Sequence, residues 1–281
     1  MSPERVPLRR LWALALLAAW VALQPAAAQD GTLLDQVRKR GTLRVALYND
    51  FAPFSDQGKG VDVDVASALA AKLGAKVQLL WFDADENMED DLRNMVWKGH
   101  YLGYGPADVM LHVPVDRDYM ARNDKVMFFA PYHRERYGIA FDTARIPKLE
   151  SMAVLEDQPI GVQGDTLADT ALLGADAGRH RSGVRHFDGV GEAVAALREG
   201  RVAAVLAQFG ELEGALKGAK GFEIVPPPIP MLYSRQWAIG LAVKAGQEDL
   251  ARALQEAMNA LAADGELARI FARHGVVLRK P

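Results

Sequence analysis

The stretch "GVDVDVASALAAKLGAKVQLLWF", Gly60 to Phe82, decides the fold. Val65, Leu69 and Leu73 recur at helical spacing within Val63 to Ala75, and Gly74 supplies a stop. "KVQLLWF" that follows is short and apolar, which suits a buried strand. Upstream, "TLRVALY", Thr42 to Tyr48, reads as another buried strand. Downstream, a helix over Met88 to Lys98 leads to "ADVMLHV", a third. Strand, helix, strand, helix, strand predicts a parallel sheet whose crossovers cover both of its faces.

The same grammar restarts after Phe141. "QPIGVQ" is a strand, "LADTALLG" a helix, "GVRHFD" a strand, "VGEAVAALREG" a helix and "VAAVLA" a strand. "VPPPIP", Val225 to Pro230, is a rigid extended connection. "QWAIGLAVKAG" is a further strand, and the segment from Gln247 to Gly275 divides into two amphipathic helices near Asp264 and Gly265. Two α/β units of about 100 to 140 residues each are expected, with the site in the cleft beyond the carboxyl ends of their strands.

The N-terminus speaks to compartment. "ERVPLRR" is a basic region, and the apolar core from Leu11 to Leu23 is too short to span a bilayer. Pro25 precedes the small residues Ala26, Ala27 and Ala28, so residues 1–28 read as a signal peptide cleaved after Ala28, the alternative being a membrane anchor. The expected location is the periplasm. The chain's net charge of −3 becomes about −5 without that segment. An acidic chain with no Lys/Arg cluster argues against nucleic acid or anionic lipid as a partner. Zero cysteines exclude disulfides, thiol catalysis, thiolate metal sites and covalently attached haem.

Other chemistry finds little support. Asp83, Asp85 and Asn87 begin like a calcium loop, but the sixth position is Met88 where Gly is needed and the twelfth is Asn94, not Glu. Those acids favour a helix start through its dipole and would sit on the cleft rim. His100 and His112 are not spaced as a zinc pair. With no hydrolase elbow and no phosphate-binding glycine loop, no cofactor, no metal and no catalytic role is expected.

Five segments in order make the chain resemble a family: "LDQVRKRGTLRVALYNDFAPFS", "GVDVDVASALAAKLGAKVQ", "KVMFFAPYHRERYGIAF", "IGVQGDT" and "WAIGLAVKAGQEDLARALQEAMNALAADGELARIF". They are similar to the type II periplasmic solute-binding proteins, family 3, that deliver polar amino acids and related solutes to ABC importers. The resemblance implies a two-lobed α/β fold, each lobe a mostly parallel sheet flanked by helices. Lobe 1 would be discontinuous, 29–138 with 240–281, and lobe 2 would span 139–239. Crossover strands near Tyr137 to Asp142 and Gln236 to Val243 would let the lobes hinge shut on a ligand.

The resemblance also implies a site. An arginine after the third strand would clamp a carboxylate through its bidentate fork. Arg117 fits the short loop after that strand, while Arg122 fits the distance to "KVMFFAPY", and both remain candidates against a reading as solvated loop charges. Pro114 or Tyr119 takes the place of the family's threonine. The aspartate that usually meets the ligand ammonium falls on Gln208, and an earlier aspartate is Ala203, so the cleft is expected to lack its usual negative partner. Glu211 would take that part if the strand ended later. Asp165 is expected to cap the next helix of lobe 2, which leaves Thr166 as the better ligand contact. Phe51 and Phe54 are expected on the cleft wall, with core packing as the alternative, and Tyr48 and Asp50 share their loop.

A narrower likeness joins "DDLRNMVWKG" and "ADVMLHVPVD" to the binding-protein-like partners of quinoprotein alcohol dehydrogenases, the methanol-oxidation J-protein group. The aromatic stretch Trp97 to Asp108 precedes a strand and is expected at the end opposite the cleft, either as a packed loop or as a protein-contact surface. The expected function is therefore a monomeric periplasmic protein that binds a small polar solute, other than a standard α-amino acid, for an ABC permease. The alternative is an accessory protein of a periplasmic quinoprotein dehydrogenase or its cytochrome.

Overall fold

The computed structural model describes residues 31–84, 87–233 and 235–281, so the expected signal peptide, with Asp85 and Glu86 of the calcium-like run, lies outside the described residues. Helix α1 (Leu33–Arg40) leads into strand β1 (Thr42–Tyr48), the small hairpin β2 (Asp50–Phe51) and β3 (Ser55–Asp56), and helix α2 (Val61–Lys72). Strand β4 (Lys76–Phe82) pairs in parallel with β1 along its whole length. Helix α3 (Met88–Leu92) starts on an Asn87 cap whose side chain accepts the Asp90 N–H at 3.0 Å, with three acids in its first turn, and continues as a wider π turn over Arg93–Trp97. Strand β5 (Val109–Pro114) follows. The segment read as a loop after it is instead a short helix, α4 (Arg117–Arg122), capped by Asp116.

Strand β6 (Val126–Asp142) carries the chain from one lobe to the other, since 17 residues reach about 55 Å. Lobe 2 follows with β7 (Ile160–Gln163), α5 (Leu167–Gly174), β8 (Val184–Phe187), α6 (Val190–Arg198), β9 (Ala204–Gln208), α7 (Phe209–Ala215) and β10 (Phe222–Val225). A turn of helix, α8 (Pro230–Tyr233), precedes β11 (Gln236–Lys244), and the chain closes with α9 (Glu248–Ala263) and α10 (Glu266–Arg273).

The strand order is β4-β1-β5-β11-β6-β9-β7-β8, with β10 beside β6. β6 runs antiparallel to β11 up to Arg136 and from Tyr137 pairs with β9, so one continuous strand belongs to both sheets. In lobe 1 the apolar side chains of β1, β5 and β11 face α2, α9 and α10 on one side of the sheet, with Leu43, Leu69, Leu254 and Phe271 buried together. On its other side Met110 and Phe128 pack against the helix after Asn87 through Leu92 and Met95. Lobe 2 repeats the sandwich, with Ile139, Ile160 and Leu206 under α5 and Val205 and Ala207 under α6 and α7. This is a two-lobed architecture in which helices cover both faces of each sheet.

The lobes also touch directly. Added Cβ atoms on Gly210 and Gly214, one turn apart on α7, would come within 2.7 Å of the Phe54 ring and 2.5 Å of the Pro53 ring. Only glycine lets this helix meet the 53–54 segment so closely. The C-terminal strap reinforces the contact. The Arg279 backbone pairs with β6 through Arg134 and through His133 Nδ1, while its guanidinium lies 2.5 Å from Glu213 of α7.

Candidate functional site

A cleft of about 1080 Å³ opens beyond the carboxyl ends of β1, β4, β7 and β9, as expected for α/β sheets. Lobe 1 contributes Tyr48, Asp50, Phe51, Asp83, Asp91, His112, Asp116, Tyr119 and Arg122, and lobe 2 contributes Thr166, Gln208 and Glu211. Tyr137, Arg235 and Trp237 line it where the two long strands cross.

Of the two candidate arginines, Arg122 reaches the cleft and Arg117 is not among its lining residues. The cause is α4: as a helix it turns its first residue outward and carries its last back toward the rim. Arg122 is 61% exposed, its nearest carboxylate oxygen is 3.8 Å away on Glu89, and it lies over the Tyr119 ring. It is therefore a rim charge and not a desolvated fork. Arg235 is the cleft's second guanidinium.

Phe54 corrects the expectation for the aromatic pair. Phe51 lines the cleft and is half-buried, whereas Phe54 is wholly buried, its ring stacked beneath Phe51 at 5.2 Å and pressed against α7. Thr166, not Asp165, caps α5: its Oγ1 accepts the Asp169 N–H at 3.1 Å and donates to the Gln163 carbonyl at 2.9 Å. The hydroxyl proton is thus engaged within the protein, and what Thr166 offers the cleft is acceptor capacity.

Lobe 2 brings to the cleft the acidic side chain that the sequence offered as an alternative, in its neutral form below about pH 8. Gln208 does line the cleft, but so does Glu211, three residues on, in the first turn of α7. The strand ends at Gln208, and the helix that follows turns Glu211 back beside it, where its Oε2 accepts the Gln208 N–H at 3.2 Å. Burial, then the charge of Glu135, push its carboxyl up to about 8, against the pull of that N–H. Glu135 is itself fully buried and accepts the Gly210 N–H at 3.2 Å.

The electrostatic balance of the wall is acidic. Asp50, Asp83, Asp91 and Asp116 face Arg122 and Arg235, while Glu211 keeps its proton below about pH 8. Tyr48 donates to Asp91 at 2.9 Å; burial first and then Asp91 hold its phenol well above the usual range. Burial, then Glu89 and Asp91, act on Tyr119 in the same direction. Both rings are neutral donors at ordinary pH. With Phe51, Tyr137 and Trp237 they give the cleft an aromatic lining of the kind that attracts cations.

His112 is a cleft residue that sequence reasoning set aside. It sits on β5 with φ +58°, where the pairing of β5 with β11 slips between Gly240 and Ala242. Its Nδ1 is 2.8 Å from Asp62 Oδ2, and Asp62 Oδ1 accepts the Tyr132 hydroxyl at 2.6 Å. Asp62 and Tyr132 are buried, His112 is 7% exposed, and its Nε2 has no hydrogen-bond partner.

The aromatic loop from Trp97 to Asp108 does not keep to the end opposite the cleft. His100 and Tyr104, stacked at 4.2 Å, fold back beside Phe82 and Asp83 at the carboxyl end of β4. Tyr101 and Leu102 at its tip are 85% and 69% exposed.

No model of a known protein family matches the chain. It is 27% identical over 245 residues to the L-cystine-binding protein TcyJ of Escherichia coli K12, which covers 85% of this chain and 84% of the relative. Among solved structures, the Ancestral Cationic Amino Acid Solute Binding Protein AncCDT-1 superimposes with a TM-score of 0.70 at 23% identity, over 87% of this chain and all of the other. An L-arginine-bound amino acid ABC transporter substrate-binding protein from Streptococcus pneumoniae does so at 0.62 with 20% identity, over 89% of this chain and all of the other. The chain has the two-lobed fold of the periplasmic binding proteins.

Proposed function

We propose that this protein is a periplasmic solute-binding protein whose cleft takes a small amine-bearing cation for an ABC importer. The observation that carries the reading is the acidic, aromatic wall just described, in which the four aspartates of lobe 1, Asp50, Asp83, Asp91 and Asp116, outnumber two guanidiniums. The similarity to a cystine-binding protein supports a solute that bears amino groups, since cystine carries two of them beside its two carboxylates. In this reading Phe51 and the neighbouring rings hold the cation's hydrocarbon, and Thr166, Gln208 and Glu211 accept its N–H donors from lobe 2. Arg122 meets a carboxylate where the solute has one, which Arg117 does not. The rim position of Arg122 and the change from aspartate to Gln208 favour a solute other than a standard α-amino acid. A thermal-shift screen of cationic amines, neutral polyols and dicarboxylates tests it, because a ligand at 100 times its Kd adds about 2.7 kcal/mol. Stabilisation by cations alone is expected; stabilisation by dicarboxylates alone overturns it.

A second reading, an accessory role beside a periplasmic quinoprotein dehydrogenase, is favoured by one observation, the exposed Tyr101 and Leu102 at the tip of the aromatic loop. Its test is co-elution with a purified quinoprotein alcohol dehydrogenase, lost on Tyr101→Ser with Leu102→Ser. Wild-type protein that elutes apart from the enzyme sinks it.

A further inference from the structure

We propose that Nε2 of His112 is the acceptor that reads the N–H donors of the solute, so that the cleft selects primary amines over fully alkylated ones. The inference rests on the cationic reading of the cleft and adds the residue that sets its specificity.

Four observations converge on this atom. The backbone of His112 holds a left-handed conformation inside a strand, at φ +58°. That conformation is uncommon for a side-chain-bearing residue and persists where the surroundings impose it. The register slip beside it is the kind of irregularity that re-aims a side chain next to a site. The re-aimed imidazole enters the cleft wall between two rings, Phe51 at 4.7 Å and Phe54 at 4.4 Å. There, Nδ1 faces Asp62 at 2.8 Å, and Asp62 is fixed in turn by Tyr132.

For the neutral imidazole, that arrangement decides which nitrogen bears the proton. A carboxylate accepts and does not donate, so the imidazole proton belongs on Nδ1 and the lone pair on Nε2. Asp62 is the positioning residue that fixes both tautomer and ring angle, as carboxylates do behind functional histidines. Nε2 is then a buried acceptor without a partner, and such groups are rare in folded proteins. A primary ammonium offers the donor that this lone pair lacks, while a quaternary ammonium has none. Phe51 is the ring of the pair that borders the cleft, so a solute reaches Nε2 by turning it aside.

The experiment uses the purified chain with 1,4-diaminobutane, its fully methylated bis-quaternary counterpart and L-arginine as probes, read by calorimetry at constant ionic strength. Nitrogen-15 NMR of the histidine rings runs in parallel. In the solute-free protein His112 is expected as the Nδ1–H tautomer, and its Nε2 resonance is expected to move when diaminobutane or L-arginine binds. Primary amines should bind about tenfold or more tightly than the bis-quaternary probe, the scale of a hydrogen bond to a charged group. His112→Asn keeps a donor for Asp62 and tolerates the left-handed backbone, so it should hold the wild-type melting temperature yet lose the same factor for primary amines. The resonance measurement needs no variant and decides the matter if His112→Asn fails to fold. A proton on Nε2 overturns the inference, as does equal binding of the quaternary probe. Diaminobutane that binds wild type and His112→Asn alike, with an unmoved Nε2 resonance, overturns it and leaves the cationic cleft standing. No binding by any probe removes the cleft reading and this inference together.

Discussion

Glu211 accepts the backbone N–H of Gln208 across one turn, Oε2 to N 3.2 Å, while burial and Glu135 hold its carboxyl near pH 8. The ordinary carboxyl value is 4.5. Below that pH the folded and unfolded chains both keep the proton, and this group does not weaken the fold. Between about 4.5 and 8 the unfolded chain releases it and the native state does not, so stability falls as pH rises, then levels off above 8. Glu211→Gln should therefore flatten the stability profile across that window and be more stable than wild type at pH 8.5. The gain is on the order of 2–4 kcal/mol, read by urea denaturation at several pH values. Parallel profiles for the two proteins contradict the assignment.

Arg122 and Arg117 stand at opposite ends of α4, and only Arg122 borders the cleft. Arg122→Ala should weaken L-arginine, which carries a carboxylate, by about 3- to 10-fold, the scale of a rim charge, and leave diaminobutane unharmed. Arg117→Ala should change neither. Calorimetric titration of both variants checks this, and a loss confined to Arg117→Ala reverses the assignment.

Gly214 meets the Pro53 ring where a Cβ would stand 2.5 Å away. Gly214→Val has to push α7 off the 53–54 segment, and it should cost about 1–3 kcal/mol by overpacking. Chemical denaturation measures the loss. A neutral substitution means that the lobes do not touch there in solution.

Arg279 ties the C-terminus to Glu213 and lies 4.5 Å from the Phe209 ring centroid. Both partners of the ion pair are largely buried, at 19% and 12% exposure. Arg279→Ala should destabilise by about 1–3 kcal/mol, and Glu213→Ala by a similar amount, with the double variant falling short of their sum. Additive losses would show that the strap does not act through this pair.

The elements legible in the sequence were those with a long periodic signal. Helix α2, strands β1 and β4, and the α9–α10 pair broken at Asp264 and Gly265 all bury one regular stripe or run. Short elements that answer to tertiary contact were not legible. Helix α7 carries little helical signal because Gly210 and Gly214 weaken its propensity, and those glycines meet Pro53 and Phe54. Helix α4 has six residues and no buried one, and β10 is four residues, none of them buried, paired to β6.

The site divides in the same way. Phe51, Thr166 and Gln208 follow from their place after strands, and the structure brings all three to the cleft; the sequence left Arg117 and Arg122 both open, and Arg122 is the one that lines it. Phe54 does not follow, because alternation cannot separate a cleft wall from the layer beneath it. Glu211 turns on where a strand ends, and His112 on a register slip, and neither leaves a local mark in composition or spacing.

The most direct test is a thermal-shift comparison of cationic amines and dicarboxylates on the purified chain at one ionic strength. A cation held at 100 times its Kd should add about 2.7 kcal/mol, a rise of about 5–10 °C for a chain of this length, with dicarboxylates inert. A rise with dicarboxylates and none with any cation would contradict an acidic cleft built to receive an amine.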